Sequence, residues 1–356
     1  MNEDYNKQLI KKLRYETREQ AIPLSGAFEL TPRCTLDCAM CYVHLTKQQM
    51  GDRSELSTND WLGIIDSAYN EGMLFALLTG GECTLHDGFI PIYRHLKELG
   101  CIVTINTNGT ILTDDILNMF RSSPPRCIQI SLYGSNEDNY EKVTGKRSYH
   151  KVLENLFRLK DAKLPIRVAV TPNRYLQDDA VEIVRFCREN GIKCIVNKTL
   201  IEAHYDTGRS MTDYSMTVEE EIALRRRLLP NQPESVVDYS NLTIPEVSID
   251  SPPLYTAQCA AGKSTFAINW EGKMRPCLSD DSFEVPVNLN GFSNAWRELY
   301  AFAQNNLQPI ECETCAMRKA CFDCYITRMD PNNPGHRNAG TCEITIKRIQ
   351  AGISQM

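Results

Sequence analysis

The stretch "AFELTPRCTLDCAMCYV" (27–43) decides how the rest of the chain is read. Its first five residues read as a strand, and Cys34, Cys38 and Cys41 follow on the loop after it, with Tyr42 behind the last. Thiolates hold iron–sulfur clusters, and spacings this short let one loop wrap a cube. Three thiolates hold three irons of a four-iron cluster and leave the fourth without a protein ligand, which is where the chemistry is expected. The competing metal reading is a partial zinc site with a distant fourth ligand, although structural zinc sites usually show their ligands as two pairs. A loop directly after the first strand is also the mouth of a parallel α/β barrel, where active sites are built.

Working outward, further strand candidates are "LFALLT" (74–79), "IVTIN" (102–106), "IQISL" (128–132), "IRVAVT" (166–171) and "IVNKT" (195–199). Helical period runs near 58–71, 89–99, 113–121, 149–162, 178–190 and 217–229, with Val152, Leu153, Leu156 and Leu159 on one face. Six βα units in series predict an α/β fold, a parallel sheet curled into a partial (β/α)6 TIM-like barrel over 25–229 behind an N-terminal extension, 1–24. Prolines at 230, 233, 245, 252 and 253 predict a bridging segment over 230–258. Beyond it, "STFAINWEGKMRPC" (264–277) reads as a hairpin around a Glu-Gly turn, and "SNAWRELYAFAQNN" (293–306) as a helix capped by Ser293 or Asn294. These belong to an expected small cysteine-rich α+β domain, 259–350, followed by a tail, 351–356.

The composition narrows the class. At 356 residues, 42% hydrophobic and 24% charged, the chain is globular in type. No apolar run approaches the ~20 residues needed to cross a bilayer, and the polar start is unlike a signal peptide, so a cytoplasmic location and no membrane partner are expected. A net charge of -6 argues against a nucleic-acid partner. Fifteen cysteines in such a protein point to metal or redox chemistry rather than disulfides.

The triad with its trailing aromatic resembles the signature C-x3-C-x2-C of the radical SAM superfamily. The resemblance implies that the open iron chelates the amino and carboxylate groups of S-adenosylmethionine, whose reductive cleavage gives a 5'-deoxyadenosyl radical that abstracts hydrogen from a substrate. "TGGEC" (79–83) follows the second strand; in the family this turn meets the cofactor's amine, which gives that role to Gly80, Gly81 and Glu82. "NTNG" (106–109) and "SLYG" (131–134) close the next two strands, and the resemblance makes Asn106 and Ser131 candidates for the ribose and carboxylate. Where the family usually has proline after the turn, this chain has Cys83. A thiol there is either a hydrogen-atom donor to a product radical or a small buried hydrophobe, and packing is the expected role. His204, Tyr205, Asp206 and Arg209 follow the sixth strand and either face substrate or form a solvated loop.

Seven cysteines between 259 and 342, with two C-x2-C pairs, are a second metal signal; one zinc would strand three of them, and two clusters account for them better. The pattern looks like a SPASM extension, with Gly272 ahead of Cys277 and "CETCAMRKACFDC" (312–324), departing only in the two residues between Cys321 and Cys324. Carried over, Cys312, Cys315, Cys321 and Cys342 ligate a distal auxiliary 4Fe-4S cluster, and Cys259, Cys277 and Cys324 a proximal one. Proteins of this kind mostly modify ribosomally made peptides by thioether or carbon–carbon crosslinking or epimerisation. The alternatives are formylglycine formation in a sulfatase, oxidation of an alcohol or carbohydrate, and a non-catalytic redox scaffold. The expected partners are a peptide or protein substrate and an external flavodoxin- or ferredoxin-type electron donor. Only 33 residues precede Cys34, too few for an independent leader-binding domain, so the expectation is a separate leader-binding protein, direct recognition by the barrel and SPASM domain, or a substrate that needs no leader.

Overall fold

The computed structural model describes residues 12–13, 15–197, 200, 209, 213–228, 259–304, 309–312, 315, 317, 321, 324–330 and 333–351. The chain divides into two units, residues 1–215 with 260–300, and residues 216–259 with 301–356.

In the first unit six parallel strands alternate with helices: β1 (Ser25–Glu29), β2 (Phe75–Thr79), β3 (Ile102–Thr107), β4 (Cys127–Ser131), β5 (Ile166–Val170) and β6 (Lys193–Val196). Their order in the sheet is their order in the sequence, the progressive winding of a partial barrel. The helices are α1 (Thr58–Asn70), α2 (Phe89–Glu98), α3 (Asp114–Ser122), α4 (Glu137–Thr144), α5 (Tyr149–Asp161) and α6 (Gln177–Glu189). α1 starts on a capping box, Ser57 with Asp60, and buries Trp61, Ile64, Ile65 and Ala68 at helical spacing. On α5 the fourth buried position is Asn155, not Leu153; its amide donates to the carbonyls of Gly109 (2.9 Å) and Thr110 (3.3 Å) and so ties the loop after β3. The strands alternate: Val103, Ile105, Ile128 and Ile130 are buried, while Thr104, Asn106, Gln129 and Ser131 on the other face are half-buried. That second face lines a cavity, which is why it is polar.

The hairpin expected at 264–277 forms, as β7 (Thr265–Ile268) antiparallel to β8 (Lys273–Arg275), but it does not stand in a separate C-terminal domain. β7 pairs parallel with β1, and β9 (Val285–Pro286) extends the sheet beyond β8, so 260–300 belongs to the first unit rather than to an independent domain starting at 259. Phe266 packs edge-on against Phe28 of β1 at 5.9 Å, an aromatic contact that helps hold the new strand.

In the second unit, α7 (Val218–Leu228) packs against α9 (Ala339–Gln350), with Glu219 bonded to Lys347 (2.8 Å) and Glu221 to Arg348 (2.8 Å). The region 218–228, expected as the barrel's sixth helix, thus belongs here. The bridging segment 230–258 lies outside the described residues. Between the two stretches of this unit, α8 (Phe292–Gln304) closes the first unit's run and enters the second. Among the described residues no helix is long and apolar enough to cross a membrane.

Candidate active site and cysteine clusters

At the C-terminal end of β1 the chain is pinned before it reaches the triad. Thr31 Oγ1 donates to Glu55 (2.7 Å), and Arg33 grips the same carboxylate through Nε (2.7 Å) and Nη2 (3.0 Å) while Nη2 also reaches the Leu85 carbonyl (3.1 Å). The turn after β2 is strung onto this segment: Gly81 N–H donates to Thr31 O (2.7 Å) and Glu82 N–H to Arg33 O (2.8 Å). Such closeness explains the paired glycines. Gly80 has φ +138°, and a β-carbon on Gly81 would stand 2.3 Å from Arg33 O.

Cys34, Cys38 and Cys41 then line one cavity of about 440 Å³ at the strand ends, together with Tyr42, Gly80 and Gly81. Asn106 and Ser131 line it as well, so these sequence-predicted residues are brought to one place. N–H donors are already aimed at two of the sulfurs: Leu36 N–H at Cys34 Sγ (3.4 Å), Asn108 Nδ2 at the same atom (3.4 Å), and His44 N–H at Cys41 Sγ (3.2 Å). Burial pushes the Cys34 thiol up to about 12 and raises Cys38 and Cys41 also, so these thiols are neutral until a metal takes the protons' place. Arg209 is ion-paired with Asp37 on the triad loop, and its positive charge opposes the upward shift of Cys38 and Cys41. His204, Tyr205 and Asp206 lie outside the described residues. Three thiols on one loop, with hydrogen-bond donors directed at sulfur, fit a site-differentiated iron–sulfur cluster.

Two residues that follow the paired glycines stand off the cavity. Glu82 is wholly buried and does not line the cavity; its carboxylate accepts from Thr84 N–H (3.2 Å), Thr84 Oγ1 (2.7 Å), Thr107 Oγ1 (2.8 Å) and Asn108 N–H (2.7 Å). Here it locks the β2 turn to the β3 turn. Burial raises its pKa against those donors. Cys83 is also wholly buried and off the cavity, its thiol 3.4 Å from the Asn106 carbonyl, a geometry that supports packing over hydrogen donation. Sequence reasoning missed Glu55 and Asn108; the second stands inside the "NTNG" motif, whose first asparagine drew the attention.

In the second unit Cys312, Cys315, Cys321 and Cys342 line a small cavity with Met317, Arg328 and Thr345. Burial, with the other three sulfurs adding repulsion, pushes Cys312 up to about 11. Thr345 Oγ1 stands 3.7 Å from Cys321 Sγ, and Arg328 donates to the Cys321 carbonyl (3.1 Å). Cys324 is exposed and off this cavity. Cys259 is exposed and belongs to the second unit, whereas Cys277 is half-buried in the first.

Comparison with known proteins places this geometry. Residues 28–187 match the model of the radical SAM superfamily. The chain is 22% identical over 336 residues to the antilisterial bacteriocin subtilosin biosynthesis protein AlbA of Bacillus subtilis, covering 90% of this chain and 71% of the relative. It is 27% identical to a probable GTP 3',8-cyclase of Saccharolobus solfataricus, covering 74% and 85%. Among solved structures it resembles Streptococcus suis SuiB bound to S-adenosylmethionine, with TM-score 0.66, 17% identity and coverage of 96% and 83%. SuiB bound to its precursor peptide SuiA aligns with TM-score 0.64 and 18% identity, covering 96% and 82%. The matched span opens in β1 and closes in α6, enclosing the triad loop and most of the cavity wall, so the site lies in the part of the chain that is similar to the radical SAM superfamily.

Proposed function

We propose that this enzyme modifies a peptide or protein at an unactivated C–H bond. When bound, the cluster and S-adenosylmethionine supply a one-electron cleavage that yields a carbon radical able to take a hydrogen atom from the substrate. The chain's own residues prepare the place: Arg33 and Glu55 fix the triad loop, Gly80 and Gly81 let the turn after β2 pack against the backbone of Thr31 and Arg33 at the cavity, and Tyr42 and Asn106 wall it. The observation that carries the reading is that this cavity, though large and half polar, holds no Lys, Arg, His, Asp or Glu among its described lining residues. A nucleoside triphosphate, the substrate class of the cyclase relatives, demands cations at its phosphates. Amide and hydroxyl walls instead suit a neutral peptide segment, in keeping with the bacteriocin and SuiA associations of AlbA and SuiB.

The four thiols gathered in the second unit support a distal auxiliary 4Fe-4S cluster, with Cys259, Cys277 and Cys324 left for a proximal one. An external flavodoxin- or ferredoxin-type donor supplies the electron. The test is anaerobic: with S-adenosylmethionine and dithionite the enzyme releases 5'-deoxyadenosine, and Cys34→Ala, Cys38→Ala and Cys41→Ala release none while the C-terminal iron remains. Normal release from all three variants would remove the radical mechanism.

A further inference from the structure

Two amide side chains on the cavity wall are held from behind, Gln129 in a fixed orientation by a guanidinium and Asn197 by a hydroxyl. Gln129 of β4 and Arg167 of β5 face each other in register, and Arg167 Nη2 donates to Gln129 Oε1 at 2.6 Å. A guanidinium only donates, so it must take the carbonyl end of the amide, and the Nε2 hydrogens of Gln129 are left for the cavity it lines. Beyond β6, Asn197 is held by its backbone N–H to Val170 O (2.8 Å) and by Nδ2 donating to Thr171 Oγ1 (2.8 Å), which leaves Oδ1 as an acceptor on the same cavity. Neither spare group has another partner among the described residues. One wall therefore offers a preset donor beside an amide oxygen, and on the peptide reading above the group that meets both is the peptide unit, with its C=O and N–H.

We infer that Gln129 and Asn197 are specificity-determining residues that hold a backbone peptide group of the substrate, Gln129 donating to its carbonyl and Asn197 accepting from its N–H, with Arg167 and Thr171 as the positioning residues behind them. This rests on the peptide reading above and deepens it, because a substrate held by its main chain is oriented without regard to its side chains. Orientation of this kind brings the reacting C–H to the radical as in an intramolecular reaction. Losing one such bond strands a polar partner, which costs roughly tenfold in productive engagement.

The experiment uses the full-length, reconstituted enzyme and a pool of uniformly deuterated peptides obtained by digesting protein from cells grown in heavy water. The readout is the fraction of 5'-deoxyadenosine that carries deuterium, a partition that does not depend on total turnover. In the parent enzyme the peptide pool labels the product and uniformly deuterated GTP does not. Gln129→Glu keeps the shape and the Arg167 bond but turns a donor into an acceptor, and it should lower the labelled fraction about tenfold. Asn197→Leu should do the same, whereas Asn197→Asp, which keeps an acceptor, should retain labelling within about threefold of the parent. Equal labelling in the parent, Gln129→Glu and Asn197→Leu would overturn the inference while leaving the peptide reading in place. Labelling from GTP and none from peptides would overturn both, as would labelling from neither.

Discussion

At the scale of single residues, position 81 shows how little freedom the turn after β2 has. A β-carbon there would meet Arg33 O at 2.3 Å and Pro32 O at 2.8 Å, both main-chain atoms that a rotamer change cannot move. Gly81→Ala should cost about 1–3 kcal/mol, as overpacking does, and push the segment before Cys34 away from β2. The measurement is twofold: a lower denaturation midpoint, and loss of S-adenosylmethionine binding larger than the stability change explains. A variant with parent stability and parent binding would show that the turn tolerates more room than this contact allows. The glycines and the cysteines were legible in the sequence because their spacing along the chain is their geometry. Glu55 was not, since it reaches Arg33 from 22 residues away and nothing near either residue announces the pair. Glu82 was legible as part of a motif but not in its environment: only the fold shows that Thr84, Thr107 and Asn108 already occupy its carboxylate.

At the scale of elements, the pattern of apolar residues predicted all six parallel strands and five of the helices between them, with ends displaced by a few residues, but not α4, and the helix over 218–228 falls in the second unit. β1 begins at Ser25, two residues before the predicted start, because its register is set by pairing with β2 and β7, which local propensity does not see. On α5, Leu153 matched the helical face by hydrophobicity, yet Asn155 is buried there, stabilised by two carbonyls that a pattern of apolar positions leaves out. Helix α1 offers a test of local chemistry. Ser57 Oγ and N–H both bond Asp60 Oδ2, at 2.6 and 2.8 Å, and hold that carboxyl below the usual range. Ser57→Ala should cost about 1 kcal/mol near neutral pH. Because the folded-state pKa is depressed, the carboxylate's contribution is complete above its unfolded value near 4 and is lost as pH falls through the lowered one. The gap between parent and variant in urea denaturation should therefore narrow as pH falls below about 4; a gap that stays constant as the carboxyl protonates would assign the stability to the serine alone.

For the whole molecule, the order of elements along the chain is not the order of the units. The hairpin after residue 260 was visible as a hairpin, but its parallel pairing with β1 joins segments some 240 residues apart, as Ser25 opposite Thr265 shows, and no local signal encodes such a partner. That pairing is why 260–300 belongs with the barrel and why Cys277 parts from Cys259 and Cys324 in the division into units. The distal set is different, since all four of its cysteines fall in the second unit and line one cavity, while Cys324, only three residues after Cys321, is exposed. This gives the cysteine series a sharp expectation. After anaerobic reconstitution, Cys312→Ala, Cys315→Ala, Cys321→Ala and Cys342→Ala should each alter or lose the same spectral component, with a loss of up to about four irons per chain, because the four thiolates share one cube. Cys324→Ala should keep that component. Iron content and Mössbauer spectra of the five variants decide it: a loss in Cys324→Ala matching the other four would move Cys324 into the distal site. Zinc retained in place of iron in the parent would instead return the second unit to a structural metal site.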